Sequence, residues 1–307
     1  MALYNNILQT IGNTPLVRLN NIERDFQVNN EIYAKLESFN PGSSVKTRPA
    51  YYMIKDLYER EIINQSSVLV EGSSGNTGIG IAMVGAYYGN KVIIVMPESV
   101  SKERIQVLNL YGAKVILTPG DKGMTGANDL VKSMLEENPN YVQPSQFTNK
   151  MNPLSHYETT AEELINDLHE IDYIFATIGT GGTVTGVGKY LKEKGLLTKI
   201  IGIEPAGSPV ITKGTSGKHK IQGAGPGFIP EILNLNFVDE VITVTDEAAY
   251  EMTRLIPRKE GISAGISSGA CLVAAIEYLR KNHINSKKVV VIFPDSGEKY
   301  FSTGVFD

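Results

Sequence analysis

Glu31-Ile-Tyr-Ala-Lys-Leu-Glu-Ser-Phe-Asn40-Pro-Gly-Ser-Ser-Val-Lys46-Thr-Arg-Pro-Ala50-Tyr-Tyr-Met-Ile-Lys-Asp-Leu57 reads as a strand, a turn and a helix in direct succession. Glu31–Leu36 is an apolar run of strand length, Asn40-Pro-Gly-Ser-Ser44 is a turn signal, and Pro49–Leu57 reads as a helix. Lys46 therefore falls at or just inside a helix start, close to several backbone N–H groups and to the positive end of the helix dipole. That location disfavours an ammonium and favours a nucleophilic amine suited to forming a Schiff base with an aldehyde. The same local pattern also fits a solvated lysine in a helix's first turn, so the decision rests on the remainder of the chain.

Outward from this stretch the alternation repeats. Strands are expected at 67–71, 91–96, 113–118, 173–178, 199–203, 240–244 and 288–293. Helices are expected at 78–88, 101–111, 125–136, 183–194, 246–258 and 268–281, with Ser101 as an N-cap and Arg104 where a capping box would carry an acid. The run Lys91–Met96 is continuously apolar, as a strand buried on both faces should be. This βαβα order predicts an α/β fold of mainly parallel sheets with flanking helices, whose ligand loops follow the strands on one side. At 307 residues one core is near its upper size, so two lobes are expected.

Lys and Arg number 29 and Asp and Glu 33, a net charge of −4, with no basic block, which argues against a nucleic-acid partner. No apolar run has the length needed to span a bilayer, and Met1–Ile7 lacks a basic segment followed by an apolar one, so a cytoplasmic location is expected. The single cysteine, Cys271, excludes an internal disulfide and reads as a packed structural thiol. His156, His169, His219 and His283 are scattered, so no metal site is expected.

Three loops rich in glycine and hydroxyls each follow a strand and open a helix: Ser73-Ser-Gly-Asn-Thr-Gly78, Gly179-Thr-Gly-Gly-Thr183 and Gly265-Ile-Ser-Ser-Gly269. The first is a receptor for a carboxylate or phosphate at a helix N-terminus. The second lacks the lysine of a Walker A loop and the third glycine of a dinucleotide fingerprint, and suits one phosphate monoester held by N–H groups and threonine hydroxyls. Any one of them alone is equally a turn that uses glycine for backbone freedom and Ser or Thr as a cap. A lysine able to form an imine, a phosphate cup without metal ligands and a carboxylate cup together imply pyridoxal 5′-phosphate and an amino acid.

These motifs resemble those of the cysteine synthase (O-acetylserine sulfhydrylase) group in the β-family, fold type II, of pyridoxal-phosphate enzymes, whose lobes are tryptophan synthase β-like. The match extends through Ile11-Gly-Asn-Thr-Pro-Leu16, Asn152-Pro-x-x-His156, His219-Lys-Ile-Gln-Gly223, Gly227-Phe-Ile-Pro230 and Pro294-Asp-Ser-Gly-Glu298, essentially the whole chain. The resemblance implies Lys46 as the Schiff-base lysine and the acid/base at the substrate Cα. It implies Asn76 at the cofactor hydroxyl, Gly179, Thr180, Gly181, Gly182 and Thr183 around its phosphate, and Ser267 at its ring nitrogen. Ser73, Ser74, Thr77 and Gln146 would hold the substrate carboxylate, with Gly227 at the pocket mouth. His156 is read as structural. The smaller, mobile lobe is expected at roughly 36–147, carrying the carboxylate loop, and the larger, phosphate-binding lobe at 1–35 plus 148–307.

The activity so implied is β-replacement: acetate leaves O-acetyl-L-serine, an aminoacrylate intermediate results, and sulfide adds to give L-cysteine. Alternatives within the family are cysteine lyase or cystathionine β-synthase chemistry, or O-phosphoserine as substrate. From another class, a non-catalytic partner of serine acetyltransferase is the alternative. A homodimer is also implied. Lys213, Lys218 and Lys220 would attract an anionic substrate, but no arginine accompanies them, which favours the acetyl ester. Three departures stand out: Ser43 and Thr47 replace the family's second glycine and aspartate around the lysine, Ser73 stands where threonine is usual and keeps the hydroxyl, and Pro226 lies in Gly223-Ala-Gly-Pro-Gly227 where alanine is common.

Overall fold

Residues alternate between two buried faces along every long strand, and this alternation generates the two sheets. In the strand Lys288–Phe293, Val289, Val291 and Phe293 join one apolar cluster while Val290 and Ile292 join another. In Lys91–Pro97, Val92, Ile94 and Met96 face one cluster and Ile93 and Val95 the other. A strand covered by helices on both faces has no polar side, which is why these segments read as continuous apolar runs. Fully burying each such side chain stabilises the fold by about 1.5–3 kcal/mol.

The structure, a computed structural model, describes residues 3–307. The strands are β1 (Leu16–Arg18), β2 (Glu31–Leu36), β3 (Val68–Gly72), β4 (Lys91–Pro97), β5 (Lys114–Thr118), β6 (Tyr141–Val142), β7 (Tyr173–Thr177), β8 (Lys199–Pro205), β9 (Glu240–Val244) and β10 (Lys288–Phe293). The chain divides into two units, one of Met1–Ile11 with Asn40–Asn152, the other of Gly12–Phe39 with Pro153–Asp307. The first holds a parallel sheet in the order β5-β4-β3-β6, the second a sheet in the order β1-β2-β10-β7-β8-β9. All pairings in the second sheet are parallel except β1 with β2.

Both sheets are wound alike. From β3 the chain steps to β4 and β5, then returns to lay β6 on the other side of β3; from β7 it steps to β8 and β9, then returns to lay β10 beside β7. The strand at each reversal is followed by a glycine-rich loop and a helix, Asn76–Tyr88 after β3 and Gly182–Glu193 after β7. Reversal points at the C-terminal edge of open parallel sheets are where such folds bind ligands.

Besides the short helices Asn20–Asp25 and Val210–Lys213, one longer helical segment lies outside the sequence expectation: Met151–Ser155, a π turn at His156–Thr160, and Ala161–Leu168. Pro153 is tolerated in its first turn, and the wider π turn shifts the phase of the apolar residues that follow, so the segment has no steady helical period. Buried Lys35 on β2 meets Glu163 of this helix at 2.8 Å and donates to the Thr14 carbonyl at 2.7 Å. No helix among the described residues is long and apolar enough to cross a membrane.

Candidate active site

In the first unit, Lys46 immediately precedes the helix Thr47–Glu59, at its N-cap position, and is half-buried. Its backbone is held from two sides. Its amide donates to Ser44 Oγ at 3.3 Å, and its carbonyl accepts from Ala50 at 3.1 Å. The helix Asn76–Tyr88 crosses at Gly80, where a Cβ would lie 2.9 Å from the Lys46 carbonyl oxygen and 3.0 Å from the Ala50 Cβ. The loop before the lysine turns through a bond from the Ser43 amide to the Asn40 carbonyl at 2.7 Å.

The departures around Lys46 have a physical reading. Ser43 holds a left-handed φ of 56°, a conformation that glycine adopts without a Cβ penalty. Ser43→Gly is therefore expected to stabilise the chain by about 0.5 kcal/mol and to raise the unfolding temperature by about 1–2 °C in a thermal scan. A fall would mean that contacts of the serine side chain outweigh the backbone strain. Thr47 is fully buried with its hydroxyl unpartnered, and a Cβ on Gly42 would lie 2.4 Å from that oxygen.

The loop after β3 is organised by its own side chains. Ser73 Oγ accepts the amides of Gly78 at 3.1 Å and Gly75 at 3.3 Å, so this hydroxyl is turned inward as a cap for the helix it precedes. Thr77 donates its hydroxyl to Gln146 Oε1 at 2.5 Å, both residues being buried, and Asn152 Nδ2 donates to the Gln146 carbonyl at 2.8 Å. With its oxygen on the Thr77 hydroxyl, Gln146 keeps Nε2 as a donor. Arg104, from the helix Lys102–Leu110, donates to the Ser74 carbonyl and tethers the loop from behind. Ser101 caps that helix by position only, since its hydroxyl makes no capping bond. Ser74, Gly75 and Asn76 remain half-exposed at the helix N-terminus, where the first amides have no partner within the helix.

In the second unit the loop Gly179–Thr183 follows β7. Gly181 takes a φ of 82° as the helix N-cap, and a Cβ there would meet Leu233 at 2.7 Å, so the turn admits only glycine. Thr180 Oγ1 accepts the Gly182 amide at 3.3 Å. Behind Thr183 stands buried His156: its Nε2 lies 3.3 Å from Thr183 Oγ1 and its Nδ1 2.9 Å from Thr160 Oγ1. The two contacts place the imidazole between the Thr160 and Thr183 hydroxyls, so that the ring holds Thr183 from behind as a structural residue. The π turn that brings Thr160 into reach of the ring had no sequence signal.

Ser267 is buried in the first turn of the helix Ile266–Lys281. That turn is fixed to the segment after β10, for the Gly265 amide donates to the Asp295 carbonyl at 3.1 Å and Tyr300 donates to Asp295 Oδ2 at 2.6 Å. Since β10 and β7 are neighbouring parallel strands, Ser267 and the Gly179–Thr183 loop belong to the same C-terminal sheet edge. Gly227 has a φ of 87° and lies beside Ser216. His219 Nε2 donates to the Gly225 carbonyl at 2.9 Å, and the Gly225 amide donates to the Ile178 carbonyl at 2.9 Å, which ties the Gly223–Gly227 segment to the residue before the Gly179–Thr183 loop. Cys271 is buried with its thiol on the Phe175 carbonyl at 3.0 Å, and burial pushes its pKa well up, so it is inert packing.

The Gly179–Thr183 loop, with its helix-terminal amides and threonine hydroxyls, fits a phosphate group, and Lys46 in the first unit is an amine of the kind that an aldehyde takes. Comparison with known proteins agrees. Residues 7–295 match the family model described as pyridoxal-phosphate dependent enzyme. The chain is 45% identical over 306 residues to a probable cysteine synthase of Bacillus subtilis, covering 98% of this chain and 97% of that one. Among solved structures it is similar to a hydrogen sulfide-producing enzyme of Fusobacterium nucleatum (TM-score 0.93, 45% identity, 97% and 100% of the two chains). It is also similar to a cysteine synthase of Entamoeba histolytica (TM-score 0.95, 40% identity, 99% and 91%). With the family model matched over residues 7–295 and a relative 45% identical over nearly all of both chains, the chain belongs to the family of pyridoxal-phosphate dependent enzymes.

Proposed function

We propose that this enzyme makes L-cysteine from O-acetyl-L-serine and sulfide by β-replacement. The observation that carries the reading is the Ser73–Gly78 loop with its Thr77–Gln146 pair, a carboxylate receptor whose helix packs directly on the Lys46 backbone. Gly179–Thr183 would hold the cofactor phosphate, Asn76 its ring hydroxyl and Ser267 its ring nitrogen. Bound there, the cofactor supplies an aldehyde for amine attachment and a ring that accepts the electron pair left at Cα. Ser74, Gly75 and Thr77 amides and Gln146 Nε2 orient the substrate carboxylate, Ser73 keeps that loop closed, and Lys46 Nζ takes the Cα proton as acetate departs from Cβ. Ser267 presents a neutral hydroxyl, which does not force a proton onto the ring nitrogen and so favours β-elimination over deeper carbanion chemistry. The same reading carries a homodimer and serine acetyltransferase as a partner, both of which rest on the family resemblance, and a cytoplasmic location, which rests on the pattern of the sequence.

A second reading, release of sulfide from cysteine through the same residues, is favoured by the likeness to the hydrogen sulfide-producing enzyme. Product analysis with O-acetylserine, O-phosphoserine, serine and cysteine, each offered sulfide or homocysteine, separates the two. O-Acetylserine with sulfide is expected to give the highest kcat/KM. A higher value with cysteine as donor, or with homocysteine as acceptor, would overturn the assignment.

A further inference from the structure

We propose that Glu71 is the positioning residue of the substrate-carboxylate subsite, acting through the turn that presents Gln146. Glu71 lies near the C-terminal end of β3, two residues before Ser73, and its side chain is buried at 2% exposure. Its Oε2 accepts the Ser145 amide at 2.9 Å and its Oε1 accepts Gln143 Nε2 at 3.2 Å. These bonds reach across more than seventy residues of chain to the segment that leaves β6. Ser145 holds a left-handed φ of 63°, and its carbonyl accepts the amides of Thr148 at 3.1 Å and Asn149 at 2.9 Å. A serine in that conformation persists only where its surroundings hold it, and the Glu71 carboxylate is one holder. The next residue is Gln146, whose side-chain oxygen receives the Thr77 hydroxyl. Glu71 thus joins the two strands that flank the reversal point and sets where Gln146 Nε2 stands relative to the amides of the Ser73–Gly78 loop.

Nothing in the reaction requires a carboxylate at this place, and isolating one in an apolar sheet is costly unless its hydrogen bonds serve an end. Glutamine at 71 retains both contacts: its Oε1 accepts the Ser145 amide and its Nε2 donates to a Gln143 amide turned over. Alanine removes both.

The proposal rests on the amino-acid carboxylate being bound at the Ser73–Gly78 loop. It is tested on the holoenzyme with Glu71→Ala and Glu71→Gln, by steady-state kinetics and by amide hydrogen exchange. Glu71→Ala is expected to raise KM for O-acetylserine about tenfold, as loss of one charge-assisted contact does, with kcat within about twofold and unchanged cofactor content. Exchange should quicken in 143–149 and not in 179–183, and Glu71→Gln should restore both KM and protection. An unchanged KM, a fall in kcat at constant KM, or undiminished protection of 143–149 overturns it. Should the alanine variant fail to fold, Glu71→Asp, whose shorter carboxylate reaches only one donor, must show the same split at about threefold. If the enzyme makes no cysteine from O-acetylserine, the function proposed above fails. The role of Glu71 is then decided by exchange at 143–149 and by the Kd of glycine, an amino acid without a leaving group.

Discussion

Replacing Lys46 with alanine is expected to abolish the absorbance band of the covalently attached cofactor and to lower kcat by about a thousandfold or more, since attachment and proton transfer are lost together. The fold should survive. Lys46 caps its helix by position and not by side chain, and the contacts that fix this backbone come from Ser44, Ala50 and Gly80, which the substitution leaves in place. Borohydride reduction followed by denaturation is the check: the cofactor stays on the wild-type chain and dialyses away from Lys46→Ala. Retention of the band or of bound cofactor in the variant would move the reactive amine elsewhere. Apo-protein unfolding curves that coincide within about 1 kcal/mol would separate loss of chemistry from loss of structure.

Much of this arrangement is legible in the chain because its signals are local. Glu31–Leu36, Glu240–Val244 and Lys288–Phe293 are strands at the expected bounds; of these, Lys288–Phe293 is the one covered on both faces, and it announces itself by an unbroken apolar run. Two of the three glycine-rich loops, Ser73–Gly78 and Gly179–Thr183, lie between a strand and a helix as expected, whereas Gly265–Gly269 follows the helix Asp246–Glu260 and not a strand, because the chain reaches it from that helix through an extended segment. What escaped is tertiary. Glu71 reads as the polar end of a strand, and its partners Gln143 and Ser145 lie in a segment with no pattern of its own. Arg104 reads as a poor capping residue, and its contact with the Ser74 carbonyl depends on β3 and β4 being neighbours. His156 looks isolated because its partners, Thr160 and Thr183, reach it through a π turn and a long-range packing contact. The shared winding of the two sheets is equally hidden, for it resides in strand order and not in any repeat of residue types.

Stability of the wild-type chain is expected to fall between about pH 4.5 and pH 7 relative to Glu71→Gln, by about 3 kcal/mol in total. Burial pushes the Glu71 carboxyl from 4.5 up to about 7, against the opposing pull of the bonds from Gln143 and Ser145. Over that window the folded chain holds a proton that the unfolded chain has released. The stabilisation that belongs to the protonated form is therefore complete below about pH 4.5 and is lost as pH rises to about 7, above which the deficit is constant. Glutamine carries no proton to lose, so the difference in urea unfolding free energy between variant and wild type should grow from pH 4.5 to pH 8. A difference that stays flat would mean that Glu71 titrates near its ordinary value. Burial favours the neutral acid at this site, whereas the two donors on Gln143 and Ser145 are best met by the ionised form. A chain shaped by stability alone would place a neutral residue at 71. Retaining a carboxylate whose ionisation lowers stability near neutral pH is what is expected where accurate placement of Gln146 counts for more than the last few kcal/mol of fold.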